Sequence, residues 1–203
     1  MTSASTLDEQ YTQRLVTLQS AWWKRLLRVQ APYAWNLRRM KLGFFLDIGC
    51  GIGRNLSHVN GHGVGIDHNS HSVHYCREAG LEAYTTSAFK ELPSERRTGF
   101  DSLLFAHLME HLDKGGAKAL LKEYLPCVKK GGRVLIITPQ ERGFESDPTH
   151  VEFMDFATIA SMAKDLGLEV ERQFSFPFPR SFGRWFIYNE FVTILKSRDL
   201  PPA

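Results

Sequence analysis

A chain of 203 residues, 43% hydrophobic and 12% aromatic, is long enough to bury one sizeable core, whereas two independent domains would each be small. Its 25 basic and 22 acidic residues leave a net charge of +3 with no basic block, so the composition makes no demand for a polyanionic partner. Cys50, Cys76 and Cys127 are far apart, odd in number and without a CxxC pair, which argues against a disulfide framework or a zinc knuckle and for a reducing, cytoplasmic compartment. The N-terminal MTSASTLDEQ lacks a basic region followed by an apolar one, and no apolar run approaches the ~20 residues that cross a bilayer.

Tyr11, Leu15, Leu18, Trp22, Leu26 and Val29 recur at steps of three and four, which predicts an amphipathic helix that Pro32 ends or closely follows. Short apolar runs then predict strands at Phe44 to Asp47, Val64 to Asp67, Phe100 to Phe105, Arg133 to Thr138, Leu168 to Phe174 and Phe191 to Lys196. Helical patterns fall between them at Ser70 to Glu78, Ala117 to Lys129 and Phe156 to Leu166. This alternation predicts an α/β fold, a doubly wound, mostly parallel sheet with helices on both faces. Ligands of such sheets bind beyond the carboxyl ends of the strands.

The stretch LDIGCGIG sets Gly49, Gly51 and Gly53 directly behind a strand that closes on Asp47. Glycines there turn the chain tightly and let a ligand reach the backbone. Asp67 closes the second strand, the place from which a carboxylate grips the two hydroxyls of a ribose. A dinucleotide fingerprint needs glycines at the first, third and sixth positions, but counting from Gly49 the sixth is Arg54. The third glycine comes one residue early, which weighs against NAD. An ordinary strand-to-helix turn is the plain alternative, and the agreement of Asp47, the glycines and Asp67 with the strand order weighs against it.

LDIGCGIG, VGIDHN, FDSLLFAHLMEHL and LPCVKKGGRVLIITP resemble the successive motifs of class I S-adenosylmethionine-dependent methyltransferases, in the family's order, over about residues 44 to 139. The resemblance implies a Rossmann-like sheet of seven strands whose last runs antiparallel, with Phe191 to Lys196 as that strand. It implies a single domain over residues 1–203: a helical cap over 1–40, a cofactor-binding core over 44–139, and a substrate loop with the last strands over 140–203. It further implies that Gly49, Gly51 and Gly53 face the methionine end of the cofactor, that Asp67 holds the ribose and that His68 flanks adenine. Asp47 and Ala106 join that expected set. Many relatives carry an aspartate after strand three for the adenine amino group; TTSAFKELP offers Ser87 instead, whose hydroxyl can still accept that bond.

In HLMEHL, His107, Glu110 and His111 stand three and four residues apart, so a helical turn would set them on one face. The loop TPQERGFESDPTHVEF carries His150 to the same edge of the sheet. This arrangement resembles the Mg-dependent O-methyltransferases of ubiquinone biosynthesis and the small-RNA 2′-O-methyltransferases, where Glu-x-x-Glu-His and a later histidine hold a divalent ion. Glu110 and His111 carry over and His150 matches the later ligand, whereas His107 stands where those families have glutamate. Three imidazoles and one carboxylate suit Zn, Mn, Fe, Co or Ni better than Mg. Two other roles stay open: a metal-free base system in which Glu110 orients a histidine, and a structural role, because EHL also occurs in metal-free relatives of the fold.

For the acceptor, Tyr33, Trp35, Arg142, Asp147 and Glu152 are candidates from the covering segments, and Arg180, Arg184, Trp185, Tyr188 and Asn189 from FPFPRSFGRWFIYNEF. Aromatic faces beside arginines stack rings and pair phosphates or carboxylates, although Phe174, Phe176, Phe178 and Phe191 are expected to be packing residues and Trp22 and Trp23 to belong to one helix. The reading is an S-adenosylmethionine-dependent O-methyltransferase of a polar small molecule: a glycoside, phenol or lipid precursor. Methylation of an RNA ribose hydroxyl is disfavoured because no basic stripe or spare RNA-binding domain is visible, and a silent cofactor-binding module because the glycine loop and polar cluster are intact.

Overall fold

The computed structural model describes residues 30–197, so the predicted helix over Tyr11 to Val29 lies outside the described residues. The described residues form two compact units, one ending at Pro93 and the other beginning at Ser94.

In the first unit, helix α1 (Ala31–Arg39) carries Pro32 in its first turn. Pro32 thus opens a helix, at a position where the missing N–H breaks no bond. The strands β1 (Phe45–Ile48), β2 (Gly63–Asp67) and β3 (Ala83–Thr85) pair in parallel in the order β3-β2-β1. Helices α2 (Arg54–His58), α3 (Ser70–Glu78) and α4 (Thr86–Lys90) follow the successive strands. Asn69 starts α3 by accepting the amides of His71 and Ser72 on its side-chain oxygen, a cap that contributes ~1 kcal/mol.

In the second unit, α5 (Ser94–Arg97) precedes β4 (Phe100–Ala106), α6 (Lys114–Tyr124), β5 (Val128–Pro139), α7 (Glu141–Glu145), α8 (Phe156–Asp165), β6 (Leu168–Phe176) and β7 (Glu190–Ser197). β4 and β5 are parallel, and β7 runs antiparallel to both β5 and β6, in the order β4-β5-β7-β6. The seven strands are those of a mostly parallel, Rossmann-like sheet with one antiparallel member, as expected. Helix α6 ends at Tyr124, short of the predicted Lys129, because Pro126 cannot continue it; a 3₁₀ turn over Leu125–Cys127 follows.

Buried strands explain the continuous apolar runs. All of β1 and β2 is buried, as are Leu103 to Ala106 of β4 and Val134 to Pro139 of β5. The outermost strand, β6, exposes Glu171 and Arg172 instead, charges that discourage pairing with another chain.

Candidate active site

In the first unit, the loop between β1 and α2 folds back on the end of β2. The amides of Gly49 and Cys50 both donate to the Ile66 carbonyl, at 2.8 and 3.0 Å. Gly49, Gly51 and Gly53 adopt φ of 76°, 53° and 75°, the left-handed region that only glycine enters freely. At Gly53 a Cβ would also lie 2.5 Å from Leu81 Cδ1, so the third glycine serves the packing of the turn. Asp67 locks this geometry: Oδ2 accepts the Gly51 amide and Oδ1 the Asn69 amide, each at 2.8 Å. Each oxygen keeps a lone pair for a further donor such as a ribose hydroxyl.

Asp47 is fully buried, and its Oδ2 has no hydrogen-bond partner. Burial pushes its carboxyl up to about 7, against the lowering effects of the long Asn55 hydrogen bond (3.4 Å) and the Arg54 charge. An unpartnered buried acceptor beside three left-handed glycines fits a polar, cationic ligand. His68 is half exposed, its Nδ1 3.5 Å from Asp67 Oδ1. Ser87 lies exposed on α4, its hydroxyl 3.2 Å from that of Thr85.

The second unit assembles the polar cluster. A 3₁₀ turn over Met109–His111 follows β4, on which Ala106 is the last residue, and puts Glu110 wholly inside the protein. The Glu110 carbonyl accepts the amides of Val151 and Glu152 at 2.7 and 3.2 Å, which stitches the loop after α7 to this turn. Asp147 shapes that loop by accepting the Thr149 amide and hydroxyl at 2.9 and 2.7 Å. Phe144 then stacks on His150, with ring centroids 5.3 Å apart.

Glu110, His111 and His150 consequently offer ligand atoms that all lie within 4.8 Å of one another. Neither Glu110 carboxylate oxygen is hydrogen-bonded. Each imidazole has its Nδ1 against a backbone carbonyl, His150 on Phe144 at 2.8 Å and His111 on Thr149 at 3.3 Å. That arrangement selects the tautomer whose Nε2 lone pair is available, the usual second contact of a metal-binding histidine.

His107 is held differently. It has φ of 55°, and its Nε2 meets Glu190 Oε1 at 2.8 Å. Its Nδ1 is 3.4 Å from Glu110 Oε1, close enough for charge attraction although outside hydrogen-bond geometry. Burial lowers the affinity of this ring for a proton, but the Glu110 and Glu190 carboxylates outweigh it and raise the pKa to about 9. The two carboxylates thus favour the protonated ring. Glu190, at the start of β7, is the member of this group that sequence reasoning missed; its signal was only a charged residue at the mouth of an apolar strand.

The acceptor candidates scatter. Tyr33 is half-buried on α1, and Trp35 exposed on the same helix. Arg180 makes a two-pronged pair with Glu141 and lies 4.7 Å over the Phe191 ring, and Asn189 is buried against Gln140. Glu152 pairs with Lys114 at 3.4 Å, and exposed Arg142 lies 3.7 Å from Glu145. Arg184, Trp185 and Tyr188 are exposed, Trp185 by 83%. Phe176 and Phe191 are buried, Phe174 is half-buried and Phe178 is exposed.

A family model described as a methyltransferase domain matches residues 24–173. The chain belongs to that methyltransferase family. The search of curated proteins finds no match. Among solved structures, the chain is similar to an S-adenosylmethionine-dependent methyltransferase from Archaeoglobus fulgidus, with 22% identity, a TM-score of 0.60, and coverage of 81% of this chain and 93% of that one. It is similar to the N-methyltransferase NodS from Bradyrhizobium japonicum, described with S-adenosyl-L-homocysteine, at 13% identity and TM-score 0.63, covering 82% and 86%. An O-methyltransferase of neocarzinostatin biosynthesis, NcsB1, matches at 19% identity and TM-score 0.63, covering 89% of this chain and 58% of that one. At these identities the likeness is one of fold.

Proposed function

We propose that the chain transfers a methyl group from S-adenosylmethionine to a hydroxyl oxygen of a polar small molecule, and that Glu110, His111 and His150 hold a divalent ion for that reaction. The observation that carries the reading is the convergence of the buried Glu110 carboxylate, hydrogen-bonded at neither oxygen, with two imidazoles whose Nδ1 atoms are already turned to carbonyls. A sulfonium-bound methyl group is electrophilic as it stands and leaves behind a neutral thioether. The demand on the protein therefore falls on the acceptor: an alkanol has a very high pKa and has to be polarised or deprotonated. A divalent ion at this cluster would supply Lewis-acid polarisation of the hydroxyl.

In the first unit, Asp67 offers acceptors to the ribose hydroxyls while tethering the glycine loop, and Asp47 offers a buried carboxylate oxygen without a hydrogen-bond partner to a cationic donor. His68 and Ser87 complete the first unit's share of the proposed cofactor set. Two imidazoles and one carboxylate favour Mn, Fe, Co or Zn over Mg. For the acceptor, the exposed Trp185, Tyr188 and Arg142 are proposed contacts, beside Arg180 and Asp147, which also serve Glu141 and Thr149. The three cysteines are unpaired and buried, and among the described residues no helix is long and apolar enough to cross a membrane; the first fact supports a cytoplasmic location.

Transfer of a labelled methyl group to a panel of glycosides, phenols and lipid precursors tests this, with and without EDTA and RNase. Chelation is expected to stop transfer with affinity for S-adenosylhomocysteine unchanged, one divalent metal to restore it, and His111→Ala or His150→Ala to lower the rate by roughly 10²–10⁴-fold. A rate indifferent to chelation would assign the imidazoles to metal-free base catalysis. Label confined to RNase-sensitive material would overturn the small-molecule reading.

A further inference from the structure

Two cysteines with no part in the chemistry above meet at the glycine loop of the first unit. Cys76, on α3, is wholly buried, and its Sγ lies 3.3 Å from the Gly51 carbonyl oxygen, 25 residues back along the chain. Cys50 is buried as well and brings its Sγ to 3.6 Å from the same oxygen. A carbonyl only accepts, so the hydrogens of these contacts belong to the thiols, weak donors that need a close approach. The hydrogen bond with Cys76 and burial push the Cys50 thiol well above its ordinary value, which keeps it protonated. The packing leaves no slack: a Cβ on Gly53 would lie 3.0 Å from Cys76 Sγ, and one on Gly65 2.7 Å from Cys50 Sγ. Gly51 is thus held at both ends, its amide by Asp67 Oδ2 at 2.8 Å and its carbonyl by the Cys76 thiol.

We propose that Cys76 is a positioning residue of the cofactor site: its thiol draws the Gly51 carbonyl inward and so turns the next amide, that of Ile52, toward the amino-acid end of S-adenosylmethionine. The proposal rests on the reading that the glycine loop faces that end of the cofactor. The peptide between Gly51 and Ile52 is trans, and in a trans peptide the C=O and N–H point in opposite directions. Fixing the oxygen on buried sulfur therefore fixes the N–H away from it. Glycine makes such a hold necessary, because a residue without Cβ lets its peptide turn over at little cost. The neighbouring amides are taken, Gly51 by Asp67 and Gly53 by the Cys50 carbonyl at 3.0 Å, whereas among the described residues nothing accepts the Ile52 amide. Ile52 is buried, and a buried N–H without an acceptor is rare. The carboxylate of the amino-acid end is an acceptor of the right charge.

Calorimetry of S-adenosylhomocysteine binding to the full-length protein separates the donor from the bulk of the thiol, because serine and alanine fill nearly the same volume and differ in the hydroxyl. Cys76→Ala is expected to weaken binding about fivefold, the scale of one hydrogen bond, and Cys76→Ser to stay within about twofold of the wild type. Thermal melts of the free proteins should show a loss in both variants, since both vacate the volume of a buried sulfur. Equal affinities in the two folded variants, whether unchanged or reduced, would assign Cys76 to packing alone and overturn the proposal. If Cys76→Ala does not fold, the Raman difference between wild type and Cys76→Ser isolates the Cys76 S–H stretch: a frequency below that of a free thiol supports the proposal, and a free-thiol frequency overturns it. A wild type that binds no S-adenosylhomocysteine overturns the cofactor reading itself, and this proposal with it.

Discussion

Asp47 and His107 carry the clearest electrostatic signatures in the chain, and they point in opposite directions. At Asp47, burial raises the carboxyl to about 7 from 3.8, so between those values the folded protein holds a proton that the unfolded chain has released. Stability of the free protein should therefore fall as pH rises from about 4 to about 7. Asp47→Asn removes that penalty: denaturant melts at pH 7.5 should show a gain on the order of 1–3 kcal/mol, accompanied by weaker cofactor binding. At His107 the raised value, about 9 against 6.5, gives a stabilisation that is fully present below 6.5 and lost as pH rises through 9. With a third of the side chain reached by water, it should amount to only about 1–2 kcal/mol. The stability gap between wild type and His107→Gln, measured from pH 6 to 10, should close towards the alkaline end; a constant gap would mean that the ring is neutral throughout. The spacing of HLMEHL made all three residues readable as a cluster, but not which partner each would take. Glu190 lies 83 residues beyond His107, and only the antiparallel pairing of the last strand brings it there.

At the level of elements, the strands were readable because burial on both faces leaves uninterrupted apolar runs, as in LLFA of β4 and VLII of β5. β3 escaped as an element in its own right, since three residues carry no period. The end of α6 was misjudged by giving the apolar spacing more weight than Pro126, whose ring and missing N–H end a helix whatever the pattern around it. In the glycine loop, the early third glycine now has a physical account: Gly53 combines a left-handed backbone with a site where a Cβ would lie 2.5 Å from Leu81 and 3.0 Å from Cys76 Sγ. Gly53→Ala should thus destabilise the fold by roughly 2–3 kcal/mol, seen as a lower denaturation midpoint, from backbone strain and overpacking together. Gly80→Ala, also at positive φ but with nothing near its Cβ, should show the backbone part alone and be milder. Equal losses in the two variants would remove the packing role from Gly53.

Across the whole molecule, the ordered motifs over about residues 44 to 139 point to a methyltransferase, and the methyltransferase-domain match over residues 24–173 agrees. The acceptor stays the least legible part of the sequence, because aromatic and arginine side chains serve packing and recognition alike; Arg180 and Trp185, five residues apart, end as an ion-paired anchor and an exposed ring. The donor can be tested without knowing the acceptor. Calorimetric titration of S-adenosylhomocysteine into the wild type and Asp67→Ala, with NAD in parallel, is the most direct measurement. The wild type should bind S-adenosylhomocysteine in preference to NAD. Loss of the Asp67 carboxylate should weaken that binding by about 10–100-fold, the equivalent of roughly 1.5–3 kcal/mol for charged hydrogen bonds. Tighter binding of NAD, or an unchanged affinity in a folded Asp67→Ala, would contradict the assignment.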